Sequence, residues 1–175
     1  IILTLVSWVA VAPLLWKRGL DVVTRTYATA AQNFWQSLDL YAPPVAGTDY
    51  FKYSPAFAML YSPFAWLSDR PQALIWALLN AALFWVGVTT WSRWPARKQY
   101  GRIFIWVILA AELDISLRYQ QFNAALVGLT LMGLQAAWAR RDLKAGFWLG
   151  LAAQLIILPV VFPLTLFLKS SRRFW

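Results

Sequence analysis

The chain has 175 residues, of which 61% are hydrophobic and only 13% charged, and it carries a formal net charge of +9. A soluble domain of this length runs nearer half apolar and a quarter charged, so the composition describes an all-α polytopic membrane protein. With no Cys and no His, thiol chemistry, disulfides, histidine-ligated haem and nearly all zinc sites are excluded; no metal site is expected, and acid–base work falls to carboxylates, Tyr or Lys.

Taken in chain order, apolar stretches run over residues 1–16, 54–68, 72–92, 103–117, 123–139 and 145–168, against about 20 residues for a helix crossing the hydrocarbon core. The first has no charged region before it and no small-residue cleavage site after it, so it reads as a truncated first span of a fragment rather than a signal peptide. The loop 17–53 that follows is long enough to have structure of its own. Its first part places Val22, Val23, Tyr27, Ala31, Phe34 and Leu38 at helical spacing, which predicts an amphipathic helix over 21–38 lying on the membrane surface. Its second part, with Pro43, Pro44, Gly47 and Asp49, should be irregular. The stretch 54–68 is short and contains Pro55 and Pro63, which fits a re-entrant or interfacial element better than a crossing.

Residues 72–92 make the clearest span, with Trp76, Trp85 and Trp91 as interface anchors, and 103–117 and 123–139 follow as further spans. The last stretch, 145–168, holds Gln154, Pro159 and Pro163 and is either one tilted span or two half-helices that double back. Orientation comes from the bases. Ten of the sixteen lie in three clusters, Arg93, Arg97, Lys98 and Arg102, then Arg140, Arg141 and Lys144, then Lys169, Arg172 and Arg173, with Asp142 the one acid among them. Such clusters beside spans stay in the cytoplasm. The other six bases face six acids, so the opposite face is close to neutral and is where a site is expected. The third cluster fits this scheme only if 145–168 doubles back. Because the bases flank apolar runs and form no recognisable binding module, nucleic acid is not a partner.

Three groups of residues have chemistry to offer. Asp21 directly follows the first span, beside Arg18 and Arg25, at the start of the surface helix. A carboxylate there is stabilised by the helix dipole and by cations and can serve as a general base toward a sugar hydroxyl, or it is simply the N-cap that starts the helix. Asp49 and Lys52 form a second pair, equally readable as solvated loop charges. Glu112, Asp114 and Arg118 end the span 103–117, and the segment continues through Tyr119, Gln120, Gln121, Phe122 and Asn123. Arg118 can hold a phosphate as a planar fork and the amides suit hydroxyls, unless the segment is only a polar turn between helices. Aromatic belts account for most of the Trp and Tyr content. No phosphate-binding Gly-rich loop, HExxH or GxSxG pattern occurs.

The order of these pieces resembles a known family. Asp21 with Tyr27 six residues on, then Asp39, Leu40 and Tyr41, then the sequence Phe51, Lys52, Tyr53, Ser54, Pro55, is similar to the polyprenyl-phosphate-mannose-dependent mannosyltransferases of glycosyltransferase family 87, in the GT-C superfamily. Residues 120–123 resemble that family's Gly-Gln-x-Asn motif and residues 150–159 its Gly-Leu-Ala-Ala-x-x-Lys-x-x-Pro motif. The resemblance implies a partial GT-C-like transmembrane bundle with an external interfacial helix after the first span. It also implies an inverting enzyme of the bacterial cytoplasmic (inner) membrane that moves a sugar, mannose by analogy, from a polyprenyl-phosphate carrier to a glycan or glycolipid acceptor on the external or periplasmic face. Membrane lipid, the lipid-linked sugar and the acceptor are then the partners, and no cofactor is called for. By the same resemblance Asp21 is the catalytic base, and Gln121 and Asn123 orient sugar or phosphate; Arg25, Tyr27, Lys52, Tyr53 and Arg118 are the further expected substrate contacts. Gln120 stands where the family has Gly, and Ile156 where it has Lys. A transporter or flippase of a lipid-linked intermediate, or an inactive homologue, are the competing expectations.

Overall fold

The computed structural model describes residues 2–92 and 99–155, with side chains described over 9–91 and 109–154; among these there are seven helices and no strand. They are α1 (Ile2–Arg18), α2 (Val22–Trp35), α3 (Pro55–Ala65), α4 (Asp69–Ser92), α5 (Gln99–Arg118), α6 (Asn123–Trp138) and α7 (Asp142–Leu155). One helix among the described residues, over Asp69–Trp91, is both long and apolar enough to cross a membrane. Ile156, Pro159, Pro163 and the Lys169 cluster lie outside the described residues, so the choice between one span and two half-helices for 145–168 falls there too.

The ends of the helices follow from local chemistry. Gly19, at φ +72°, closes α1 as a left-handed C-cap, its N–H donating to Leu15 O at 2.8 Å. Asp21 then caps α2. The helices α2, α5 and α6 end in the same way, with Ser37, Gln120 and Arg140 left-handed at φ 56°, 54° and 55°. In each, the next amide reaches back five residues, to Asn33 O, Ser116 O and Ala136 O, which is the Schellman closure that normally favours glycine.

The core has two parts. In the first, α4 crosses α6 at backbone contact, because a Cβ on Gly87 would lie 2.2 Å from Gly128 O and one on Gly128 2.2 Å from Leu83 O. Small residues let helices in a membrane approach this closely. Around that crossing, Val11 and Leu15 of α1, Ala73, Ala77, Ala81, Phe84 and Val88 of α4, and Leu113 and Leu117 of α5 pack together. The second part is aromatic. Tyr27 sits among Tyr53, Phe57, Tyr61 and Trp76 with ring centroids 4.7–6.0 Å away, all edge-on, and Trp76 stacks on Phe122 at 5.4 Å.

Two expectations need correction. The surface helix runs over Val22–Trp35 rather than 21–38, and it buries Thr24, Thr26, Tyr27, Ala30 and Ala31 while leaving Val22 and Leu38 exposed. The threonines are able to face inward because their hydroxyls are satisfied, Thr26 Oγ1 by Val22 O at 2.8 Å and Thr24 Oγ1 by Gln120. Trp76 is not an interface anchor: it is 3% exposed and its Nε1 donates to Gln120 O at 3.0 Å. The stretch 54–68, expected to be re-entrant or interfacial rather than a crossing, holds the helix α3, with Pro55 in its first turn, where its missing N–H costs nothing, and Pro63 inside. Its 11 residues span about 16 Å at 1.5 Å per residue, too short to cross.

Candidate functional site

The α1–α2 corner is made by residues 19–21. There Asp21 takes extended backbone angles (φ −84°, ψ 168°) and its Oδ1 accepts from Val22 N at 2.8 Å. Arg18 Nη2 lies 3.5 Å from the same oxygen; the Asp21 side chain is only 11% exposed against 49% for Arg18. Oδ2 has no hydrogen-bond partner among the described residues. A carboxylate with one oxygen held by the protein and the other open can take a proton from a hydroxyl brought to it.

A second turn, between α5 and α6, is tied onto this corner. Gln120 Oε1 accepts from Asp21 N at 3.1 Å and from Thr24 Oγ1, and Gln120 Nε2 donates to Gly19 O at 2.7 Å. Residues about a hundred positions apart are thereby joined. On the same turn, Asn123 Nδ2 donates to Gln121 Oε1 at 2.9 Å, leaving Gln121 Nε2 as a donor and Asn123 Oδ1 as an acceptor. Arg118 Nε donates to Asp114 Oδ2 at 2.7 Å in an exposed pair. Glu112 Oε1 accepts from Ser116 Oγ at 3.3 Å, and Ser116 Oγ in turn accepts from Ala124 N at 3.1 Å.

The loop between α2 and α3 covers the other side of α2. Asp49 N donates to Thr26 Oγ1 at 2.8 Å, which pins the loop to the helix. The Asp49 carboxylate accepts from Tyr50 N at 2.7 Å and from Lys52 Nζ at 3.2 Å. The amide of Tyr50 first, and Lys52 with it, hold that carboxyl below the usual carboxylate range although it is exposed. Arg25 is exposed; its Nε donates to Leu20 O at 3.3 Å and its guanidinium lies beside Gly47. Tyr27 is 1% exposed, and its hydroxyl donates to Tyr53 Oη at 2.8 Å. Burial, and then the neighbouring Tyr53, push the Tyr27 phenol well above its ordinary value.

Against known proteins, the model of glycosyltransferase family 87 matches residues 51–175. The chain belongs to this family. A curated relative from Mycobacterium tuberculosis, a polyprenol-phosphate-mannose-dependent alpha-(1-2)-phosphatidylinositol mannoside mannosyltransferase, is 29% identical over 155 residues, covering 77% of this chain. The chain spans about a third (35%) of that relative's length. No solved structure matches it.

Within this family 87 chain, the residues singled out from sequence fall into three settings. Asp21 and the amide turn that carries Gln121 and Asn123 are joined through Gln120, and Arg118 ends the helix leading into that turn. Arg25 and Lys52 lie on the exposed side of α2 and its covering loop. Tyr27 and Tyr53 are bonded to each other in the aromatic core, where Tyr53 stacks on Phe57 at 4.7 Å. Sequence reasoning overlooked the buried polar residues Gln72, Asn80 and Ser116 inside apolar runs, and Thr24 of α2, each 1% exposed or less. A polar side chain within an apolar helix was the available signal, since it needs a buried partner.

Proposed function

We propose that this chain forms part of a multi-pass membrane glycosyltransferase that moves a sugar, mannose by its relative's name, from a polyprenyl-phosphate carrier to a glycan or glycolipid acceptor. The transfer takes place on the external face of the cytoplasmic membrane. The observation that carries this reading is the Asp21 carboxylate, almost buried, with Oδ1 held by Val22 N and Arg18 and Oδ2 open. In the reaction, Asp21 Oδ2 takes the proton of the acceptor hydroxyl as that oxygen attacks the anomeric carbon. The bond from that carbon to the carrier phosphate breaks, its electron pair leaves with polyprenyl phosphate, and the anomeric configuration inverts. Gln121 Nε2 and Asn123 Oδ1 are the free amide atoms suited to sugar hydroxyls. Arg25 and Arg118 supply cations for the leaving phosphate.

The test is Asp21→Asn in the full-length protein, assayed in proteoliposomes with polyprenyl-phosphate mannose as donor and a mannosylated phosphatidylinositol as acceptor. Loss of a general base lowers transfer by about 10²–10⁴-fold with the fold intact; unchanged transfer overturns the reading. The proposed orientation is tested separately in this Cys-free chain. Asp49→Cys should react with a membrane-impermeant maleimide added outside, whereas Lys98→Cys should not; the reverse pattern inverts the topology.

A further inference from the structure

Among the described residues, three other than glycine are left-handed: Ser37, Gln120 and Arg140. Ser37 and Arg140 are exposed, while Gln120 is 1% exposed. A closure that needs only a left-handed residue is best met by glycine, or by any solvated side chain at modest cost. Gln120 is neither. Its carboxamide uses both of its chemistries, the carbonyl oxygen accepting from Asp21 N and Thr24 Oγ1 and the amide nitrogen donating to Gly19 O. A carboxamide offers an acceptor and a donor together, in one plane and without charge. The residue is itself anchored, because its own carbonyl accepts from Trp76 Nε1 at 3.0 Å and its N–H donates to Leu117 O at 3.2 Å.

We propose that Gln120 is a positioning residue that fixes the Asp21 carboxylate from the α5–α6 turn, a role that rests on the reading of Asp21 as the base. Gly19, left-handed at φ +72°, is a natural pivot between α1 and α2. Around that pivot the Gln120 carboxamide binds the carbonyl before Leu20 and the amide after it. The peptide positions of Gly19 and Asp21 are thus set by one rigid plane. Because Asp21 Oδ1 is in turn tied to Val22 N, fixing the backbone at Asp21 fixes where Oδ2 points. A displacement of about 1 Å at a reacting group costs about 10²-fold in rate.

The experiment uses the full-length protein in the same proteoliposome assay with Gln120→Gly, which keeps the left-handed turn and removes the side chain with its carboxamide. Positioning predicts that kcat falls about 10–100-fold while donor KM stays within about threefold, beyond any fall in thermal midpoint from the three lost bonds, which relief of the left-handed strain offsets only in part. In an Asp21→Asn background, Gln120→Gly should cost nothing further, since residues acting through one group are not additive. Thr24→Val is the second variant, chosen because it removes one bond to the carboxamide without touching the turn; a severalfold loss of kcat at constant donor KM is expected. If Asp21→Asn abolishes transfer while Gln120→Gly and Thr24→Val leave kcat within twofold, the positioning role is wrong and the base assignment stands. If Gln120→Gly and Asp21→Asn lower kcat additively, Gln120 serves the fold alone and the inference is again overturned. If Asp21→Asn itself leaves transfer unchanged, the base assignment has failed, and with it the reason for any positioning.

Discussion

The two halves of this bundle are packed by different means. Where α4 crosses α6, backbone meets backbone through Gly87 and Gly128, and alanines of α4 line the contact with α1 and α5. Where α2 and α3 lie against Trp76 and Phe122, rings meet edge to face and hydroxyls pair with one another. The first kind of contact is intolerant of added atoms, because what would be struck is carbonyl and amide backbone that has nowhere to turn. The second spreads its energy over many ring contacts and several hydrogen bonds, so that removing one polar atom costs little more than that atom's bond. Gln120 belongs to both: its side chain holds the end of α1, and its carbonyl is held by Trp76 of the aromatic half. The candidate site therefore sits at the seam between a stiff half and a more forgiving one.

The sharpest way to break this comparison is at Gly128. Gly128→Leu drives a side chain into Leu83 O and Phe84 N, which a Cβ alone would meet at 2.2 and 2.8 Å. No properly folded protein should be recovered after detergent extraction, as judged by size-exclusion chromatography; a monodisperse peak with wild-type thermal midpoint would show that the crossing is not at backbone contact. Tyr27→Phe, in the aromatic half, removes the hydroxyl bonded to Tyr53 and nothing else. The expected cost is about 1 kcal/mol, read as a small fall in thermal midpoint. Sign follows from the raised phenol. The folded state holds the Tyr27 proton more tightly than the unfolded chain, so this contribution is complete below the ordinary phenol range and is lost as pH rises through and beyond it. Alkaline destabilisation should accordingly be smaller in Tyr27→Phe than in the wild type, and equal slopes would remove Tyr27 from the account.

The contrast between the halves also decides what the sequence alone conveyed. Helix positions were largely readable, since apolar runs bounded by charged residues, and Pro55 at the start of α3, are local signals. Asp21 was readable as a cap and as a base candidate because both roles depend on its place after a basic helix end. Most of the inward face of α2 was readable too, since Tyr27 and Ala31 are buried and Val23 and Phe34 pack on the core as their spacing implied, with Val22 and Leu38 the exceptions. What stayed hidden was that the same face buries threonines, whose partners lie on the α5–α6 turn and on the loop at Asp49, and no pattern within α2 reveals partners so distant. Trp76 misled for a related reason: a tryptophan in an apolar helix serves the membrane interface or a buried carbonyl equally well, and only the arrival of Gln120 O beneath it decides. Gln120 itself registered as a departure from glycine. Its value is visible once the left-handed turn and the three bonds are seen together.

The smallest effect is expected at the site's exposed margin, where a pair of opposite charges is easily mistaken for machinery. Asp49 and Lys52 lie 3.2 Å apart with side chains 56% and 69% exposed, and Asp49 is held chiefly by the amide of Tyr50, in its own loop. Exposed pairs of this kind contribute little, because water and salt screen them and two mobile side chains must be ordered. The loop is pinned instead by the Asp49 backbone amide on Thr26, which a side-chain change leaves in place. Asp49→Asn should therefore leave both thermal midpoint and donor KM unchanged. Lys52→Met separates the two roles open to Lys52: if its charge serves only the loop, nothing moves, whereas a rise in donor KM at constant kcat would place the ammonium on the carrier phosphate and extend the site from the α1–α2 corner across the face of α2.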